Sequence, residues 1–171
     1  MSGQTKFSVS VQSADFEVGV ELDRLRTAAE EAAADHEGNE GETAASVGAI
    51  ASFVGHVRSR AGDESIAALE LEHYPGMTEK SLADILARAA ERWPLAGGRV
   101  IHRYGRLEAG AQIVLVAIAS AHRGDAFAAC EFVMDFLKTE APFWKKEEGS
   151  SGARWVDARD SDQTAAARWQ V

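Results

Sequence analysis

Cysteine is almost absent from this chain. Cys130 is the one thiol in 171 residues, so no intrachain disulfide can form. It sits within a helical apolar pattern and reads as a buried structural thiol rather than a reactive one. Proline is scarce too: Pro75, Pro94 and Pro142 are the three that punctuate the elements. No apolar run approaches the length of a membrane span, and the N-terminus lacks a signal-peptide pattern, so a soluble cytoplasmic protein is expected. His36, His56, His73, His102 and His122 are scattered, with no i, i+4 pair and no CxxC, so no metal site is expected. Walker, GxGxxG and GxSxG patterns are missing, which removes the motif-based nucleotide-binding and hydrolase readings. No cofactor is implied.

Positive charge is also in short supply. The 18 Lys and Arg face 27 Asp and Glu, a net charge of −9 at pH 7. The deficit is uneven. Residues 1–50 hold Lys6, Arg24 and Arg26 against ten acidic residues, whereas the other 121 residues hold fifteen basic and seventeen acidic groups. A general nucleic-acid surface needs a basic stripe and net positive charge, so that class is excluded. Short basic clusters in a nearly neutral body fit a local pocket for a small anion. The hydrophobic fraction of 46% is enough for a real core, and the length suits one domain.

Phe7 to Val11 alternates like a strand, and residues 16–26 read as a short helix or turn. The stretch from Thr27 to Ala45 lacks large apolar groups. It extends a helix as far as Ala34, and Asp35 to Glu42 reads as a solvated loop, making about 27–45 an acidic insertion expected to be flexible. Val47 to Val57 is a small-residue strand, Ser59 to Ser65 a polar turn, and Ile66 to Tyr74 a strand with a bulge. Met77 to Trp93 is a helix with Leu82, Ile85, Leu86, Ala89 and Trp93 on one face, ended by Pro94 and Gly97-Gly98. Arg99 to Tyr104 and Gln112 to Ala121 are strands joined by a hairpin-like link. Gly124 to Lys138 is a second long helix, with Phe127, Cys130, Met134 and Leu137 on one face and Phe132 and Phe136 off it, as if it packs on two sides. A short strand over Ala153 to Ala158 and a helical turn from Ser161 close the chain. The whole is α+β: a mostly antiparallel sheet with two long packed helices.

Two basic clusters bracket the second long helix. His122-Arg123-Gly124-Asp125 opens it, where free N–H groups and the dipole favour a phosphate or carboxylate. Lys138 lies in its last turn, where the dipole favours a cation in any case. Ala141-Pro142-Phe143-Trp144-Lys145-Lys146 follows as a rigid aromatic turn, and of its two adjacent lysines at most one enters a pocket. Apolar walls of this kind can desolvate a lysine into a usable acid, base or nucleophile. Arg58, at a strand end, suits bidentate recognition of an oxyanion, although on spacing alone a solvated arginine next to Arg60 is the better explanation. Arg154-Trp155 reads as a cation–aromatic surface pair.

Six motifs resemble one family in unbroken order. They are Phe53-Val54-Gly55-His56-Val57-Arg58, Leu71-Glu72-His73-Tyr74-Pro75-Gly76-Met77, Val100-Ile101-His102-Arg103-Tyr104-Gly105, Ser120-Ala121-His122-Arg123, Leu137 through Lys146, and Arg154-Trp155-Val156. Over about Val47 to Trp169 the chain resembles the large, catalytic subunit of molybdopterin synthase. The resemblance implies an α/β hammerhead fold, a single catalytic domain over 1–171, and a cytoplasmic sulfurtransferase of molybdenum cofactor biosynthesis. Such an enzyme converts cyclic pyranopterin monophosphate to molybdopterin, a dithiolene. The sulfur comes from the C-terminal Gly-Gly thiocarboxylate of a small ubiquitin-like subunit, and the assembly is a homodimer within a heterotetramer. Carried over residue by residue, the resemblance makes Lys138 and Lys145 catalytic. It makes Arg58, His122, Arg123 and Arg154 anion-binding, with Arg154 reaching the pocket of the neighbouring protomer. Phe53, Met134 and Pro142 form its apolar wall. All are expected to converge on one cavity, where fixed cations bring two anions together. Glu140, between the lysines, is a departure that would raise their pKa if it points inward. The competing reading is a non-catalytic α+β module that binds an anionic ligand or a partner's tail.

Overall fold

The computed structural model describes residues 6–36, 46–157 and 160–170. The elements run β1 (Phe7–Gln12), α1 (Val18–His36), β2 (Ala49–His56), β3 (Arg60–Ala61), β4 (Glu64–His73), α2 (Met77–Arg92), β5 (Leu95–Arg103), β6 (Gly105–Glu108), β7 (Gln112–Ser120), α3 (Arg123–Glu140), β8 (Phe143–Gly149), β9 (Gly152–Val156) and α4 (Asp160–Ala167). A 3-10 turn over Arg168–Gln170 follows. The expected α+β architecture holds, built on two sheets rather than one. The first has the order β1-β5-β7-β2, with β1 parallel to β5 and the other pairs antiparallel. The second runs β3-β4-β8-β9, with β6 also paired to β4, and is antiparallel throughout.

Strand β7 is the spine. Its apolar run buries both faces: Val114, Val116 and Ile118 meet the core shared with α2 and α3, while Leu115, Ala117 and Ala119 face the α1 side. A strand covered on both faces is apolar at every position instead of alternating. Each fully buried Val, Leu or Ile here contributes roughly 1.5–3 kcal/mol. Helix α2 buries Leu82, Ile85, Leu86 and Ala89 as its periodicity predicts. Its start is fixed by the Glu79 carboxylate, which accepts the Gly76 N–H at 2.7 Å. Helix α1 includes the residues through Ala34 that were expected to continue it. Residues 37–45, the rest of the acidic insertion, lie outside the described residues.

The structure corrects the sequence reading at four points. Gly97-Gly98 does not separate helix from strand, because β5 already begins at Leu95. These glycines are in-strand because neighbours pass too close for a Cβ: one at Gly97 would lie 2.7 Å from the Lys6 carbonyl, and one at Gly98 2.7 Å from Leu86 Cδ1. The link between β5 and β7 contains β6, which leaves the first sheet to pair with β4. Phe143 and Trp144 are not part of a turn but open β8, which lies between β4 and β9. Phe127 points outward at 66% exposure, while Phe132 and Phe136 are buried. Helix α3 is packed against β7 and β2 on one side and α2 and α4 on the other. Its buried arc is therefore wide, and Phe127 falls at the arc's margin near the helix start. Cys130 is buried as expected, and burial pushes its thiol up to about 11. Among the described residues no helix is long and apolar enough to cross a membrane.

Candidate active site

At the start of α3, His122 takes an extended backbone (φ −125°, ψ 137°), and its side chain makes no capping bond. Its N–H reaches Ser120 Oγ at 3.4 Å, and that hydroxyl donates to the Pro94 carbonyl at 3.0 Å. The two residues are therefore placed by backbone and strand, leaving the His122 and Arg123 side chains exposed to solvent. An exposed arginine and imidazole beside the free N–H groups of a helix start make a ready anion site.

The other end of α3 is organised differently. Ala141 ends the helix with an extended ψ of 127°, as expected for the residue before Pro142. Lys138 is 42% exposed, and its Nζ lies 4.0 Å from Asp162 Oδ1 on α4. Glu140 does not face the lysines. Its carboxylate sits 3.2 Å from Arg88 on α2, and its carbonyl accepts from Ser81 Oγ at 3.4 Å. That pairing disposes of the concern that Glu140 loads the site with negative charge.

Lys145 lies on β8 opposite Leu71 of β4 and Val156 of β9, two positions after Phe143, which is opposite His73. The period of two puts Phe143 and Lys145 on the same face of the sheet, with Lys146 on the other. Lys146 sits 5.8 Å from the centroid of the Trp155 ring, so Trp155 pairs with this lysine rather than with Arg154. The Phe143 ring stacks on His102 of β5 at 3.6 Å and 19°, joining the two sheets beneath Lys145. His73 packs on Tyr104 at 4.6 Å, and its buried Nδ1 has no hydrogen-bond partner. His102 is buried, and its Nδ1–H donates to the Arg103 carbonyl at 2.8 Å. Burial holds this imidazole well below its ordinary range, down to about 3, with the Lys145 and His73 charges adding to the effect. A neutral ring next to Lys145 avoids placing a second cation there.

The remaining candidates are spread around this end. Helix α3 returns antiparallel to β7, so its C-terminal end lies where β2 finishes at His56 and the exposed Arg58 follows. Phe53, on β2 opposite Val116, is 40% exposed. A Cβ at Gly55 would come 2.7 Å from Val114 Cγ1 and 3.3 Å from the Phe53 ring, so the glycine leaves room first for Val114 and then for Phe53. Met134, 8% exposed, packs in the main core, and Pro142 is half-buried. Arg154, on the edge strand β9, is 56% exposed and pairs with Glu147 at 3.2 Å and Glu64 at 3.4 Å. Arg58, Lys138 and Lys145 therefore share one end of the molecule. Arg123 is fifteen residues from Lys138 on one helix, which at 1.5 Å per residue is about 22 Å. One chain does not bring both basic clusters into a single cavity.

The MoaE protein family matches residues 22–140, well over half of the chain. The chain belongs to the MoaE family. Molybdopterin synthase catalytic subunits from Ralstonia nicotianae and Vibrio cholerae are each 51% identical to it, the first over 96% of this chain and 85% of its own length, the second over 95% and 97%. The solved MoaE protein from Burkholderia ambifaria aligns with a TM-score of 0.75 at 49% identity, covering 96% of this chain and 98% of its own. Alignments this long take the MoaE likeness beyond residue 140 and across Lys145 and Arg154, which the family match itself does not reach.

Sequence reasoning missed three groups around the MoaE lysines. His102 alternates within β5, a hint that it faces one side of the sheet, but its stack on Phe143 joins two sheets and has no local signal. His73 depends on the same junction. Asp162 is 24 residues from Lys138, and nothing in the sequence marks the two as neighbours.

Proposed function

We propose that this chain is the catalytic subunit of a molybdopterin synthase. It converts cyclic pyranopterin monophosphate to molybdopterin in the cytoplasm, using sulfur from the C-terminal thiocarboxylate of a small ubiquitin-like subunit. The observation that carries the reading is the 51% identity to molybdopterin synthase catalytic subunits over nearly the whole chain. The clustering of Arg58, Lys138 and Lys145 at one end of the fold supports it.

The chemistry brings two anions together, a cyclic phosphate and a thiocarboxylate, so catalysis needs cations already in place. Lys138 lies next to the glycine thiocarboxylate. The sulfur attacks the pterin to form a thioester, and the Lys138 ammonium polarises its acyl carbonyl. Water cleaves the acyl C–S bond, leaving sulfur on the pterin and releasing the tail as a carboxylate. Lys145, backed by the neutral His102–Phe143 stack, holds the substrate and assists proton transfer. Arg58 binds the substrate's negative charge. Phe53 and Pro142 wall the pocket, and Met134 supports that wall from the core. The tail's glycines let its backbone pass close to these walls.

The 22 Å between Arg123 and Lys138 gives the homodimer a role. A second protomer supplies His122, Arg123 and Arg154 to the lysine end of the first, and one small subunit docks at each end of the pair. Purified chain, thiocarboxylated partner and precursor should yield dithiolene when mixed, and no product would overturn the proposal. Lys138→Ala should lose turnover while still binding the partner. Full turnover by that variant would remove the proposed role of Lys138, whereas no product from the wild-type mixture would favour the alternative of a binding module.

A further inference from the structure

Helix α4 docks on the second half of α3 through a clamp and a matched row of charges. Trp169 meets Trp93 and Phe132 edge-on, at 5.7 and 5.6 Å, and its Nε1–H donates to Asp135 at 2.7 Å. Its carbonyl accepts from Arg92 at 2.7 Å. Ala166 is buried in the main core. Glu131, Asp135 and Lys138 lie three to four residues apart and so form one stripe along α3. Arg168 answers both acids of that stripe, at 2.6 and 2.7 Å. Two turns earlier on α4, Asp162 answers the lysine. The clamp thus fixes where the Asp162 carboxylate stands, and it stands over Lys138.

We propose that Asp162 is a positioning residue for Lys138, holding the ammonium in the pose from which it meets the acyl group. The inference rests on the reading of Lys138 as a catalytic lysine. A lysine has four rotatable side-chain bonds and loses considerable freedom when held. A fixed carboxylate 4.0 Å away confines it without a tight hydrogen bond that substrate would have to break. In this view the C-terminal helix is part of the active site, although it follows Lys138 by more than twenty residues.

The test uses the full chain with its thiocarboxylated partner and compares wild type, Asp162→Asn and Asp162→Glu. Asp162→Asn should lower kcat about tenfold with KM for the precursor changed less than about twofold, the pattern of a misplaced catalytic group. Asp162→Glu should recover most of that loss. An amine-acylating reagent followed by peptide mapping should label Lys138 faster in Asp162→Asn than in wild type, with Lys80 as the internal reference. Unchanged kcat together with unchanged labelling overturns the proposal. A faster Asp162→Asn enzyme also overturns it, because the carboxylate would then be a competitor for Lys138. A loss that Asp162→Glu does not rescue reduces Asp162 to helix docking. If Lys138→Ala keeps full turnover while Asp162→Asn still alters Lys138 labelling, the ion pair stands and the catalytic role of Lys138 falls.

Discussion

The two ends of α3 both carry basic side chains, but with different neighbours. His122 and Arg123 stand in solvent at the start, placed by the backbone at the end of β7. At the finish Lys138 and Lys145 also reach solvent, but they have fixed neighbours: Asp162 faces Lys138, Arg88 draws Glu140 aside, and a histidine–phenylalanine stack underlies Lys145. A group that must capture a diffusing anion gains from exposure. A group that must meet a developing charge gains from being fixed in advance. The difference separates an end suited to binding from an end suited to chemistry.

The largest effect should come from the lysine end. Lys138→Ala or Lys145→Ala should lower turnover by about 10²–10³-fold, the range for removing one preorganised charge, with partner affinity retained in a pull-down. Equal losses at Arg123 and Lys138, in the same kinetic constant, would break the comparison. The exposed end should act on capture. Arg123→Ala should raise KM for the precursor about tenfold with kcat nearly kept, and added salt should shrink the difference. If the two ends meet across a dimer, refolding Lys138→Ala chains with Arg123→Ala chains should give about a quarter of wild-type activity at precursor well below KM, where Arg123→Ala alone gives about a tenth. Half of the dimers would then be mixed, each with one intact site. No recovery would rule out a site shared between protomers.

A smaller effect concerns stability. His102 titrates near 3 in the folded chain against an ordinary 6.5, because burial disfavours its charged form. The unfolded chain therefore binds the extra proton first. The stability linked to this ring is fully present above about 6.5 and is lost as pH falls from there towards 3, by an amount on the order of a few kcal/mol. Replacing it, as in His102→Gln, should flatten that limb of a pH series of denaturant melts. An unchanged limb would mean that other groups control acid unfolding. The smallest effect belongs to Glu140→Gln. Its pair with Arg88 is about half exposed, so the loss should stay below about 1 kcal/mol in a thermal melt. Turnover should be unchanged, and a large rise would show that the carboxylate reaches the lysines after all.

Much of the scaffold was legible because it depends on local periodicity. The stripe of α2, the apolar run of β7 and the bulge between Ile66 and Ala68 each follow from spacing within one element. Strand β8 was hidden because Pro142-Phe143-Trp144 has the composition of a turn, and its strand character comes from β4 and β9 on either side. Gly97 and Gly98 misled for a related reason: glycine marks a turn locally, but here it marks close passage of Lys6 and Leu86. The expectation of one cavity conflicted with a length the sequence itself supplied, since fifteen helical residues keep Arg123 and Lys138 apart.

By itself the sequence determined the α+β elements, the buried thiol, the paired basic clusters and the ordered motifs that resemble a sulfur-transferring subunit. Those depend on residue type and short-range spacing, which the chain carries in linear form. Only the tertiary structure decided that Glu140 turns to Arg88, that Phe143 lies on His102, and that Asp162 comes to Lys138. These are contacts between distant segments, and the packing of sheets and helices, not local propensity, sets which side chains meet.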